Sequence, residues 1–560
     1  MTFDLHAILH HVEQAAPSED LPEWLHRSWT EPAAFTAALA SAHVGRGAPL
    51  KSRVGQHHDF FHDLVGRHAT TNLIALRTYE RPHGWRTLSY RRLHEQATRR
   101  ATTWEQRGVR PGARVCLLLH PGPELWVSLC AALCLGARVS LLPPTGTRFV
   151  SRRLDALAPE HVVAEPHQTP LLGTHARSLL PLIEASTPTA TSHSYKPDEP
   201  VGLLFSPLAD PSWRPVPLKA ADAWLGALVD GLLTFALAPG DQLAAPGLHP
   251  LQHLPALVFS TLLRGATFLH LEPSDLEARP ALLTEHPVRA LGVTPALRDL
   301  MLRTRTPLAN VEGWFRDPET PLDGERWKAW VQQCGLSSAP CANVLVDSTA
   351  GGAVLCSPRR VGDVHAEAAP APGRRWALKD LHRSGQPAPT DVGLFTLLPE
   401  EGRPPGHLVL SRVRQQYLHA GSRDARRDGH VIPTDEVTDA LDDLEPPVST
   451  SLLVLPTGGP TGAPCRVLLV FTGEAPRQTA PLLAEVRRRL EQRLGPEHLP
   501  DRVEIFPLYP RLRDDRVDPA WCHTQYLTGS LHRKATDPLF QTLTALRGRL
   551  RPLAPLNPRS

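Results

Sequence analysis

Glycine, threonine and proline crowd the stretch PTGGPTGAPCRV, residues 456–467. Glycines let successive backbone N–H groups turn toward one anion, and hydroxyls add donors, so these residue types suit a phosphate cradle. They equally suit the turn between two strands, where Gly and Pro are expected on conformational grounds. Metal-ligating residue types occur in HHDFFHDLVGRHA (His57, His58, His62) and in LWVSLCAALCLGA (Cys130, Cys134). The histidines read as a solvated helix face, with Phe60, Phe61, Leu64 and Val65 on the other side. The two cysteines, four apart on one helix face, read as small buried hydrophobes, and the eight cysteines of the chain include no C-x-x-C pair. Lysine occurs only as Lys51, Lys196, Lys219, Lys328, Lys379 and Lys534, so a catalytic ammonium must come from one of these.

The elements that would position such groups follow from patterning. The chain has 560 residues, enough for two to four domains. Its 60 basic and 57 acidic residues leave a net charge of +3, which gives no electrostatic case for nucleic acid or an anionic membrane. No apolar run approaches the roughly 18–20 residues of a membrane span. The start, MTFDLHAILHHVEQ, lacks a basic n-region and a continuous apolar core, so a cytoplasmic protein is expected. Helical spacing in DLHAILHHVEQA and EPAAFTAALASAH marks residues 1–54 as an N-terminal helical extension. Strand-like runs (NLIALRTY, ARVCLLL, RVSLLPP, HVVAE) then alternate with helical ones (SYRRLHEQATRRATTWEQRGV, PELWVSLCAALCLGA, VSRRLDALAPE), and the rhythm resumes with DQLAAPG, LPALVFSTLLRGA, TFLHLE and RALGV. This alternation predicts an α/β fold of parallel sheets covered by helices. Turn-rich, charged sequence near 420–447 interrupts it, which divides the remainder into a large lobe, 55–430, and a small α+β lobe, 431–560.

Over roughly residues 55–535 this order of segments resembles the adenylate-forming superfamily of acyl-CoA synthetases, adenylation domains and luciferases. WRTLSYRRLHEQATRRATTWEQRGVRPGARVCLLLHPGPELWVSLCAALCLGARVSLLPP is similar to that family's opening lobe, and LAPGDQLAAPGLHPLQHLPALVFSTLLRGATFLHLE to its second sheet, with His249 at the family's Pro-x-x-His. VRALGVTPALRDLML resembles the segment closing the acyl pocket, and LPDRVEIFPLYPRLRDDRVDPAWCHTQYLTGSL the C-terminal catalytic stretch.

The resemblance places the phosphate loop at FSPLADPSWRPV, 205–216, and leaves 456–467 as an inter-strand turn. Within that loop Leu208 and Pro211 stand at glycine positions, Pro207 at the serine, and Ala209 with Asp210 at the paired threonines; Ser206 and Arg214, the latter at the lysine position, keep the original character. Each proline removes an amide donor, and Asp210 sets a carboxylate against a polyphosphate. In VLVDSTAGG the resemblance retains Ser348, Gly351 and Gly352 as substrate-pocket residues beside His249, but Thr349 replaces the magnesium-binding glutamate. The ribose-binding Thr-Gly-Asp has become Ala-Gly-Ser at 420–422, and Arg516 stands where the family has its catalytic lysine.

The expectation is therefore a chain with the acyl-CoA synthetase fold, pseudoenzyme-like, that does not adenylate. It would bind an acyl or aryl thioester, an acyl carrier protein or a partner enzyme in a biosynthetic pathway. No resident cofactor or metal is assigned; a CoA thioester is the candidate ligand, and ATP with magnesium is disfavoured. Two alternatives stay open: an ATP-independent acyl transferase between CoA and a carrier, and a working acid–thiol ligase in which Arg214, Asp424 and Arg516 replace the usual residues.

Overall fold

The protein is represented by a computed structural model that describes residues 2–14, 21–42, 48–205, 214–247, 249–318, 324–362, 364–380, 386–400, 408–414, 416–422, 426–427, 430–431, 437–438, 440–441, 444, 448–455, 465–473, 479–496, 499–513, 516–537 and 540. It divides into two compact units, one of residues 1–144 and 150–424, the other of residues 145–149 and 425–560.

Two large sheets build the first unit. The five-stranded one runs in the order His161–Ala164, Arg114–Leu118, Arg138–Leu142, Pro200–Leu204, Val216–Lys219; its first four strands are parallel and the last is antiparallel. The helices Tyr90–Gln106 and Pro123–Cys134 cover it from the same core. Ser89 fixes where the first of these begins by accepting a hydrogen bond from the Arg92 N–H at 3.3 Å, the usual job of a serine at that position. Cys130 and Cys134 are buried in the second, as expected from their spacing. The ten-stranded sheet follows the order Ala369–Pro370, Gly352–Cys356, Pro340–Asp347, Trp314–Arg316, Ala290–Gly292, Gln242–Ala244, Thr267–His270, Ile74–Glu80, Gly84–Ser89, with Arg360–Val361 added beside Pro340–Asp347. Its centre is parallel and its ends antiparallel. The α/β architecture is as the sequence predicts.

The first unit also holds the N-terminal helices Leu5–Gln14, Glu23–Thr30 and Pro32–Ser41. Phe3, Ile8, Phe35 and Leu39 are buried in the same core as the sheets. Polar stitches fix the register: Trp29 Nε1 donates to the Ala371 carbonyl at 3.1 Å, and Ser28 Oγ accepts from the Gly373 N–H at 3.0 Å. A four-stranded antiparallel sheet, Trp376–Lys379, Val392–Leu397, Leu408–Val413 and Gln416–Ser422, completes this unit.

In the second unit Ser449–Leu455 pairs antiparallel with Cys465–Phe471, which pairs parallel with Arg502–Phe506. The connecting residues 456–464, of the stretch with phosphate-cradle composition, lie outside the described residues. The helix Thr479–Leu494 buries Leu482, Val486, Leu490 and Leu494. Their spacing of four lines them along one face, and each such side chain contributes about 1.5–3 kcal/mol on burial.

One expectation is corrected here. His58 is not on a solvated helix face: it precedes the helix Phe60–Leu64, pairs through its backbone with Tyr195, and is only 2% exposed, its ring packed 5.1 Å from that of Trp224. Burial lowers its pKa to about 4, with His57 adding to the effect. His57 and His62 are turned to the carbonyls of Lys51 and Pro49, at 3.0 and 3.3 Å.

Candidate functional site

Strand Pro340–Asp347 ends in a short 3-10 turn, Ser348–Ala350, before the chain returns antiparallel as Gly352–Cys356. Asp347 starts the turn, its Oδ1 accepting from the Thr349 N–H at 2.9 Å and from Thr349 Oγ1 at 2.7 Å. The Thr349 hydroxyl is thus given to a neighbouring carboxylate. Ser348, fully buried, accepts from the Ala256 N–H at 3.3 Å and so ties the turn to the helix Ala256–Leu263.

The paired glycines have a packing reason. Gly351 has φ +85°, and a Cβ there would lie 2.6 Å from the carbonyl oxygen of Asp222 in the helix Ala220–Val229. From the other side, a Cβ on Gly226 of that helix would overlap the Gly351 carbonyl oxygen. Helix and turn approach each other at backbone distance, which only glycine allows.

His249 begins the helix Pro250–His253, its Nδ1 accepting from the Leu251 N–H at 3.2 Å; the proton of this neutral ring therefore sits on Nε2. It is buried, and its helix packs beside the Ser348–Ala350 turn. The structure therefore brings His249, Ser348, Thr349, Gly351 and Gly352 into one neighbourhood.

Behind this turn lies a group that sequence reasoning missed. The helix Ala220–Val229 continues as a π-turn, Asp230–Thr234, a rare geometry that frees backbone groups. Asp230 is 1% exposed; its carboxylate accepts from the Ala353 N–H at 2.9 Å and from Thr234 Oγ1 at 3.1 Å. Burial raises its pKa to about 6, although the nearby Arg374 charge and these hydrogen bonds pull the other way. Arg374 in turn donates to the Ala350 carbonyl. A charge inside the apolar run WLGALVDGLLTFA is the one signal that could have pointed to this cluster.

Of the remaining candidates, Ser206, Pro207, Leu208, Ala209, Asp210 and Pro211 lie outside the described residues, as do residues 456–464. Asp424 lies outside them too. Arg214 is exposed just before the strand Val216–Lys219. Arg516 belongs to the second unit, in the short strand Arg516–Val517 paired with Leu512–Arg513. A hard divalent cation draws on anionic oxygen. Thr349 itself offers only a neutral hydroxyl, donated to Asp347, where the resemblance leads one to expect a carboxylate.

Residues 65–222 match the family model for the AMP-binding enzyme. No curated protein matches the chain in sequence. Among solved structures, it is similar to a double mutant of o-succinylbenzoate CoA synthetase from Bacillus subtilis, bound with its product analogue, at 13% identity and TM-score 0.64, covering 82% of this chain and 97% of that one. It is also similar to ATP-bound MatB from Rhodopseudomonas palustris, at 16% identity and TM-score 0.55, covering 84% and 98%. The resemblance to the adenylate-forming superfamily is thus borne out, by the AMP-binding enzyme pattern over residues 65–222 and by the acyl-CoA synthetase fold over most of the chain.

Proposed function

We propose that this chain uses the acyl-CoA synthetase scaffold to bind an acyl or aryl thioester, carried by coenzyme A or by a carrier protein, without forming an acyl-adenylate. One observation carries the reading. The family residues it keeps, His249, Ser348, Gly351 and Gly352, each have a task in the fold, whereas the residues expected to handle triphosphate and magnesium are changed to Pro207, Leu208, Pro211 and Thr349. Removing a single donor to developing charge typically costs about 10²–10³ in rate, and several are replaced together here. The Bacillus subtilis synthetase holds a CoA product analogue on a similar fold, which favours the thioester side of the reaction as what the scaffold still accommodates.

Pyrophosphate exchange with a panel of carboxylic acids tests the proposal, alongside thermal unfolding with ATP and magnesium or with acyl- and aryl-CoA thioesters. The expected outcome is no exchange, no shift with ATP, and stabilisation by a thioester; a ligand at about 100 times its dissociation constant adds about 2.7 kcal/mol. Exchange above background, or stabilisation by micromolar ATP, would identify a ligase instead. Thioester turnover in the absence of ATP would identify an acyl transferase.

A further inference from the structure

A partly open pocket of about 60 Å³ lies beneath the N-terminal helices. Trp24 and Leu25 line it from the helix Glu23–Thr30, Leu233 and Thr234 from the π-turn, and Cys356 and Arg359 from the strand Gly352–Cys356 and the segment that follows. Its walls are mostly carbon. His11, Thr234, Ser357 and Arg359 are its polar members, and Arg359 carries the charge. Its Nη2 donates to the Thr234 carbonyl at 2.8 Å, an oxygen at the end of the π-turn, and among the described residues no carboxylate is paired with it. Burial, with the like charge of Arg289 adding to it, lowers its pKa to about 10.

Arg359 is half-buried, so its guanidinium has lost part of its hydration, and no counter-ion among the described residues replaces it. It still has N–H donors beyond the one given to Thr234, in the planar fork that matches a carboxylate. An incoming anion would restore the lost interaction, and the carbon walls would favour an anion with an apolar body.

We propose that this cavity binds a small amphipathic carboxylate, its charge on Arg359 and its hydrocarbon body against Trp24, Leu25 and Leu233. The site is separate from the Ser348–Gly352 turn: the two lie at opposite ends of the strand Gly352–Cys356, about 13 Å apart at the usual rise per residue. It is also independent of whether the chain binds a thioester.

Cys356 gives the site its own readout, because it lines the cavity and is the one cysteine that is not fully buried; burial pushes its thiol pKa up to about 12, so the labelling is run at about pH 9 with excess reagent, where the unprotected chain is modified measurably. The full chain is treated with N-ethylmaleimide, with and without octanoate, and Cys356 modification is followed by peptide mass spectrometry. Octanoate at about five times its dissociation constant is expected to slow the modification by about fivefold or more. Octan-1-ol, with the same body and no charge, is expected to protect far less. Arg359→Met should abolish protection by octanoate, and Leu25→Trp, which fills the cavity and leaves the Arg359–Thr234 bond in place, should do the same. No protection by octanoate, equal protection by octan-1-ol, or undiminished protection in Arg359→Met overturns the assignment. If Arg359→Met does not fold, as judged by circular dichroism, Leu25→Trp decides, and retained protection there overturns it.

Discussion

The two ends of the strand Gly352–Cys356 differ in kind. At the Gly352 end, polar groups satisfy one another: Asp347 holds Thr349, Ser348 holds Ala256, and Asp230 holds Ala353 and Thr234. At the Cys356 end, a guanidinium faces an apolar cavity. The end expected from its residue types to form a substrate pocket is closed by packing, and the other end is open. Residues with the look of a site can thus serve the backbone, while the open end is where the proposed carboxylate would bind.

The largest test of that contrast is Gly226→Ala. If Gly226 and Gly351 serve helix packing, the added methyl group must push the helix Ala220–Val229 off the Gly351 carbonyl, and urea denaturation should show a loss of about 3 kcal/mol, the upper part of the range for overpacking. A loss below about 0.5 kcal/mol would mean that the closed end is looser than described.

Next in size is the pH response of Asp230. Its pKa is raised, so its contribution is fully present below the unfolded value near 3.8 and is lost as pH rises through about 6. Asp230→Asn cannot titrate, so its stability relative to the wild type should improve between pH 4 and 7, on the order of 2–3 kcal/mol for a shift of about two units. His58 and His68 act oppositely in both proteins: burial lowers their pKa values to about 4, and their contribution, present above pH 6.5, is lost as pH falls through about 4. Thermal unfolding of the two proteins across this range isolates the Asp230 part, and parallel curves would remove it.

The smallest effect concerns His249. As a helix-starting residue it contributes about 1 kcal/mol, so His249→Ala should lose that much stability and leave thioester affinity within about twofold. A tenfold loss of affinity at unchanged stability would make His249 a ligand contact and reopen the closed end of the comparison.

Much of the fold was legible in the sequence because local pattern and long-range packing agree. Alternating apolar strands and amphipathic helices signalled the parallel sheets, and the helix Thr479–Leu494 displays its buried face in a spacing of four. Three features were hidden for physical reasons. His58 is buried by Trp224, a residue far along the chain, and its own neighbours look solvated. The antiparallel sheet from Trp376 to Ser422 is split by Pro-, Gly- and charge-rich segments that mask its alternation. Asp230 finds its amide partner 123 positions away, and nothing in either local segment announces the pairing. At the candidate site, the residue types at 348–352 could be read directly, but not that their hydrogen bonds point inward.

The stitches between the amino-terminal helices and Ala371 and Gly373 set an order on biosynthesis. Trp29 must wait 342 positions for its acceptor, so on the ribosome Phe3, Phe35 and Leu39 emerge long before the surface that shelters them has been made. For that interval the newborn chain carries an oily, unsheltered segment, and a chaperone that recognises such segments would be a natural companion.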